Sequence, residues 1–125
     1  NTDRAFGKAC QITHTEVVDY TVAPIFMKGK EKGAHEWIIE FKKNPSDILF
    51  FQKVLDETLQ SLNSDYEAKR YNNMTLNPLV IHIARPNLFY DWLKEKGKLG
   101  GQNKIPRLSN DRKIAESLLN ADLIN

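Results

Sequence analysis

Lys98, Lys104 and Arg107 are the residues of this chain best suited to work on an anion. They lie in the segment Gly97-Lys98-Leu99-Gly100-Gly101-Gln102-Asn103-Lys104-Ile105-Pro106-Arg107. Three glycines in five residues favour irregular backbone that takes positive φ or approaches a ligand closely, and Pro106 stiffens the exit. From Lys94 to Lys113 seven cations stand against two carboxylates, Glu95 and Asp111, a local charge of +5 on a chain whose net charge is +2. A glycine-bearing basic loop on a near-neutral body suits a phosphate or carboxylate partner. A solvated lysine-rich turn is the plain alternative.

Other reaction chemistries find less support. His14, His35 and His82 are scattered, with no metal-ligand spacing and no serine or cysteine nucleophile nearby, so neither a metal site nor a triad is expected. The single cysteine, Cys10, permits no internal disulfide and reads as a small buried hydrophobe. His82 alternates against Leu79, Ile81 and Ile83 and so faces away from the more apolar side. Glu36 and Glu40 on one strand, and Asp56 and Glu57 on a helix, read as solvated charges. Tyr66 and Arg70 fall one helical turn apart and read as a structural pair, the arginine fixing the following connector through carbonyls. No phosphate-cradling or dinucleotide fingerprint occurs. The basic loop therefore needs its chemistry completed by another surface.

The 125 residues fit one domain, 1–125, with 41% hydrophobic and 27% charged residues, ordinary for a globular protein. A net +2 is too mild for a nucleic-acid binder; bases stacking on Tyr20 and Trp37 of an open sheet face is the weaker reading. Apolar runs such as Ile48 to Phe51 are too short to cross a bilayer. One cysteine and no signal segment fit the cytoplasm. The chain opens on Asn1, at what reads as a helix start, and is expected to be a piece of a larger protein.

The elements that must position the loop follow from periodicity. A helix capped by Asn1 or Thr2 runs to about Thr13, with Ala5, Phe6, Ala9 and Ile12 on one side. Glu16 to Phe26 reads as a strand, with Pro24 demanding an edge or a bulge. His35 to Lys42 returns from a glycine-bounded turn with Trp37, Ile39 and Phe41 on one face. Asn44-Pro45-Ser46-Asp47 starts a helix at Pro45 that buries Phe51, Leu55 and Leu59. Ser64 begins a capping box for a short helix to about Arg70. Leu79 to Arg85 is a third strand, Asn87 caps a helix ended by Gly97, Lys104 to Leu108 is a short extended piece, and Ser109 or Asn110 caps the last helix. The expected fold is α+β: a small mixed or antiparallel sheet of about four strands flanked by helices.

Against this background a family likeness appears. Asn63-Ser64-x-Tyr66-x-x-x-Arg70, then a strand led by Pro78, then Gly97…Gln102-x-Lys104-Ile105-Pro106-Arg107 resembles the C-terminal domain of the auxin-responsive acyl-acid amido synthetases, the Gretchen Hagen family. Asp19-Tyr20-Thr21-Val22-Ala23-Pro24, the Gly100-Gly101 pair and Asn103 place the resemblance nearer the bacterial branch. It runs in order from about Ala5 to Leu119.

The resemblance implies a lid-like C-terminal domain of an adenylate-forming ligase, the smaller part of a two-domain protein. ATP, with Mg2+, would activate a carboxylic acid as an acyl-adenylate, and an amino acid would then displace AMP. The N-terminal domain would hold nucleotide and acid, and this domain would swing between the half-reactions. Lys104 is then the candidate catalytic cation, with Lys98, Gln102 and Arg107 as nucleotide-binding candidates and Arg107 also a possible structural partner of the loop. The expected partners are the chain's own N-terminal domain and the acid and amino acid substrates, with no nucleic acid and no membrane. The fragment alone is expected to be inactive. A free-standing α+β ligand-binding or regulatory module is the alternative.

Overall fold

In the computed structural model, which describes residues 2–71, 75–97 and 104–124, helix α1 (Thr2–Thr13) precedes strands β1 (Val17–Ile25) and β2 (Ala34–Phe41). Helices α2 (Ile48–Leu62) and α3 (Ser64–Arg70) follow, then β3 (Val80–Ile83), α4 (Leu88–Glu95) and α5 (Lys113–Ile124). The sheet order is β1-β2-β3. β1 and β2 are antiparallel, with Tyr20 opposite Ile39, Val22 opposite Trp37 and Pro24 opposite His35. β3 runs parallel to β2, Glu36 opposite Val80 and Ile39 opposite Ile83, so α2 and α3 form the crossover that a parallel pair requires. The sheet is thus mixed and the fold α+β, as expected, but with three strands in place of about four. The expected fourth, Lys104 to Leu108, meets β1 at a single bridge, Val22 to Leu108. Pro106 has no N–H to give a ladder, and its carbonyl accepts from Thr21 Oγ1 at 2.6 Å.

Period-two alternation makes both sheet faces useful. One face presents Tyr20, Val22, Trp37, Ile39 and Phe41 to Ala5, Phe6 and Ala9 of α1 and to Phe51, Leu55 and Leu59 of α2. Its aromatic side chains interlock: ring centroids lie 4.1 Å apart for Phe6 and Tyr20, 5.3 Å for Tyr20 and Trp37, and 5.4 Å for the edge-on Phe41 and Phe51. Tyr20 and Trp37 are therefore core residues, not an open stacking platform. Ile12, expected on the buried stripe of α1, is about half exposed. The second face carries Ala23 and Ile38 against Leu88, Phe89 and Trp92 of α4 and Ala115 and Leu118 of α5, with Ile105 among them.

Helix starts differ from the sequence reading by a few residues, for identifiable reasons. The cap of α2 is Asp47, which accepts from Phe50 N at 3.0 Å, so the helix begins after Pro45. The cap of α3 is Asn63, accepting from Tyr66 N at 3.0 Å, one residue ahead of the expected Ser64. Asn87 sits at φ 68° and makes no side-chain cap; the Glu40 carboxylate reaches across from β2 to accept from Asn87 N at 2.9 Å and Phe89 N at 3.3 Å. α5 starts at Lys113, whose N–H donates to Asp111 Oδ1 at 2.9 Å, rather than at Ser109 or Asn110. Gly97 closes α4 at φ 67°, as its position suggested.

Candidate functional site

The segment that leaves the glycine loop is tied down almost atom by atom along β1. Ile105 is buried in the second core. Thr21 Oγ1 donates to Pro106 O at 2.6 Å, Val22 N to Arg107 O at 3.0 Å, and Ser109 N to Val22 O at 3.1 Å. The side chain of Arg107 adds three further contacts. Nη1 donates to Asp3 Oδ1 of α1 at 2.7 Å, Nε lies 3.3 Å from Asp19 Oδ1 of β1, and the guanidinium stands 4.9 Å from the Tyr20 ring centroid. Tyr20 itself donates its hydroxyl to the same Asp3 oxygen at 2.8 Å. Burial first, then that carboxylate, pushes the Tyr20 hydroxyl well above the usual phenol range, which keeps it a donor.

Lys104 stands immediately before this strap. It is exposed and pairs with no carboxylate among the described residues. Of the other expected site residues, Arg107 is brought into the Asp3–Asp19–Tyr20 cluster, whereas Lys98 and Gln102 lie outside the described residues. Behind the strap a cleft of about 280 Å³ is lined by Leu108, Ser109, Phe26, His35, Tyr66 and Trp37 among others. Burial, helped by Lys69, lowers the His35 pKa and so disfavours its charged form.

Three carboxylates read as solvated are instead buried and partnered. Glu36 is bound by His82 Nε2 and lies 2.6 Å from Arg112 Nη2, linking β2 and β3 to the start of α5. Burial alone would raise its pKa; Arg112 and His82 outweigh that and hold it below the usual carboxylate range. Glu40 caps α4. Asp56 accepts from Tyr66 Oη at 2.5 Å, from Arg70 Nε and Nη2 at 2.9 Å each, and from Gln60 Nε2 at 2.9 Å. Arg70 Nη1 also donates to Leu76 O at 3.2 Å, fixing the connector after α3, so Tyr66 and Arg70 are the structural pair their spacing suggested. Strand alternation held a usable signal for two of the three. Glu36 and Glu40 share the parity of Ile38, which no strand with a solvated second face would place there.

Known proteins give the same picture of the fold. The family model for the GH3 family C-terminal domain matches residues 1–113. Two solved structures superpose on nearly the whole chain, each at 19% sequence identity. The AtGH3.15 acyl acid amido synthetase in complex with 2,4-DB covers 97% of the chain with a TM-score of 0.67. A second structure of the GH3.15 acyl acid amido synthetase covers 99% with a TM-score of 0.69. The chain spans 23% of the length of either. No curated protein matches the chain in sequence.

Proposed function

This chain belongs to the GH3 family as its C-terminal domain, and from that premise we propose that it is the mobile part of an ATP-dependent acyl-acid amido synthetase. The 125 residues would be one domain of a larger cytoplasmic two-domain protein. ATP activates a carboxylic acid as its adenylate with release of pyrophosphate, and the amine of an amino acid then displaces AMP. The N-terminal domain holds the acid and most of the nucleotide, with Mg2+ on its phosphates. Among the described residues there is no group of three ligating side chains that could hold a metal. In this reading the share of this chain is a cation, Lys104.

The observation that carries this reading is the contrast between Lys104 and the two arginines that follow it. Arg107 and Arg112 are engaged by Asp3, Asp19, Glu36 and Glu116, whereas Lys104 is exposed and pairs with no carboxylate among the described residues. A preorganised ammonium near the phosphates offsets the negative charge that develops on the leaving pyrophosphate, and losing one such group costs about 10²–10³-fold in rate. If Lys104 meets those oxygens in one domain orientation only, it acts on one half-reaction more than the other.

Lys104→Ala in the full-length protein is expected to slow one half-reaction by about 10²–10³-fold. Its melting temperature should stay unchanged, because an exposed lysine adds little to folding. Lys104→Arg should recover part of the rate. Pyrophosphate release across a panel of acids, with and without each amino acid, identifies the substrates. Pyrophosphate exchange and amide formation from preformed adenylate then separate the two steps. Wild-type rates for Lys104→Ala in both assays return the loop to a solvated turn.

A further inference from the structure

Arg107 carries a positive charge three residues from Lys104, yet its geometry is that of an anchor. We infer that Arg107 is a positioning residue for Lys104, acting with Asp3, Asp19 and Tyr20, and this inference rests on the proposed role of Lys104. The guanidinium is spent on two carboxylates from two different elements, α1 and β1, and on the face of a tyrosine. Of those partners Tyr20 is the fixed one: it is 2% exposed, and its hydroxyl shares the Asp3 oxygen with Arg107.

What the anchor holds is backbone. Between Ile105 and Ser109 the chain is fastened by a buried apolar side chain and by three hydrogen bonds to Thr21 and Val22. Only one of these five residues, Arg107, fastens the strap through a charged side chain, which reaches from beside β1 to α1. Lys104 is joined directly to the fastened end, so the direction in which it leaves the domain is set by where the strap lies. A long, flexible lysine on a free loop would sample many orientations. On a clamped strap its Cα is fixed and only its own side chain must be ordered when it meets phosphate. An error of about 1 Å in placing a catalytic group can cost about 10²-fold in rate.

The test uses the full-length enzyme with Lys104→Ala, Arg107→Ala, Arg107→Lys and the double variant Lys104→Ala/Arg107→Ala. Arg107→Ala is expected to lower kcat of the Lys104-dependent half-reaction about 10–100-fold, with KM for ATP and the other half-reaction unchanged. In the double variant, Arg107→Ala should add no further loss to that of Lys104→Ala. Arg107→Lys should fall between wild type and Arg107→Ala, because one ammonium cannot reach both Asp3 and Asp19 with a planar fork. Hydrogen exchange should speed up at the Val22 and Ser109 amides in Arg107→Ala while those of β2 keep their protection.

A raised KM for ATP with kcat retained would make Arg107 a nucleotide contact and overturn the inference. Equal losses in both half-reactions that track a lower melting temperature, or additive losses in the double variant, would reduce it to a fold-stabilising residue and overturn it as well. An impaired Lys104→Ala beside a fully active Arg107→Ala defeats this inference alone. A fully active Lys104→Ala defeats the proposed function together with it.

Discussion

Replacing Asp56 by asparagine tests the polar cluster that joins α2 to α3 and the connector beyond. Asp56 is 8% exposed and accepts from Tyr66, Gln60 and twice from Arg70, whose side chain is 9% exposed. Asparagine keeps the shape but turns an amide NH₂ toward a buried guanidinium and removes the carboxylate that faces it. Breaking a buried pair this way costs about 3–5 kcal/mol. A domain of this length has about 6–19 kcal/mol in all, so the loss is a large share. Urea denaturation followed by Trp37 and Trp92 fluorescence at pH 7 measures it.

The pH dependence has a defined sign. Burial would raise the Asp56 pKa, but Arg70 and Tyr66 outweigh it and hold the carboxyl below its usual value. A depressed folded pKa gives stability that is complete above the unfolded value, about 3.9, and is lost as pH falls through the folded one. The gap between wild type and Asp56→Asn should therefore be widest near neutrality and shrink below about pH 4. Asp56→Asn/Arg70→Met should be more stable than Asp56→Asn alone, because the buried guanidinium that faced the lost carboxylate is gone. A loss under about 1 kcal/mol at pH 7, or a gap that stays constant into acid, would refute the reasoning, since breaking such a pair should cost several times that.

Three shorter expectations follow. Glu40→Ala leaves the N–H groups of Asn87 and Phe89 without their acceptor at a partly buried helix start; a loss of about 1–3 kcal/mol in urea melts is expected, and faster amide exchange confined to α4 would locate it. Leu55→Ala, at a side chain with no exposure, should cost about 2–5 kcal/mol; a loss below about 0.5 kcal/mol would mean that the site collapses around the change. Burial raises the Cys10 thiol to about 11, so alkylation by iodoacetamide at pH 8 should be slower than for a free thiol by about 10²-fold and recover in 6 M urea; equal rates with and without urea would place the thiol outside the packed helix.

What the sequence made legible was what period and turn chemistry encode locally. The stripe Phe51, Leu55 and Leu59 named its own buried face, and Trp37, Ile39 and Phe41 named theirs. Tyr66 and Arg70 declared themselves a pair by spacing, and the Lys104–Arg107 motif pointed to the family. What stayed hidden depends on partners distant in the chain. Glu36, Glu40 and Asp56 look solvated until His82 and Arg112, the start of α4, or Tyr66 and Arg70 arrive to satisfy them, because a charge is buried only in company. The strap was legible as an extended piece. Its attachment was not, since Asp3 and Arg107 lie 104 positions apart. The parallel addition of β3 likewise depends on a crossover that no local pattern specifies.

The way β1 is finished has a consequence for association. β1 is an outer strand, and an outer strand normally offers a row of unpaired backbone groups to any other strand that drifts past. Val22, Tyr20 and Pro24 share the outward parity. Val22 spends both its N–H and its carbonyl on Arg107 and Ser109, Tyr20 N donates to the Asp19 carboxylate at 2.8 Å, and Pro24 has no N–H to offer. The N–H groups of these three residues are thus spent or missing, which works against the addition of a further strand here. Contacts across this border are then left to side chains, which, under the proposed function, can be released and remade when the domain moves, whereas a shared ladder would have to be unzipped.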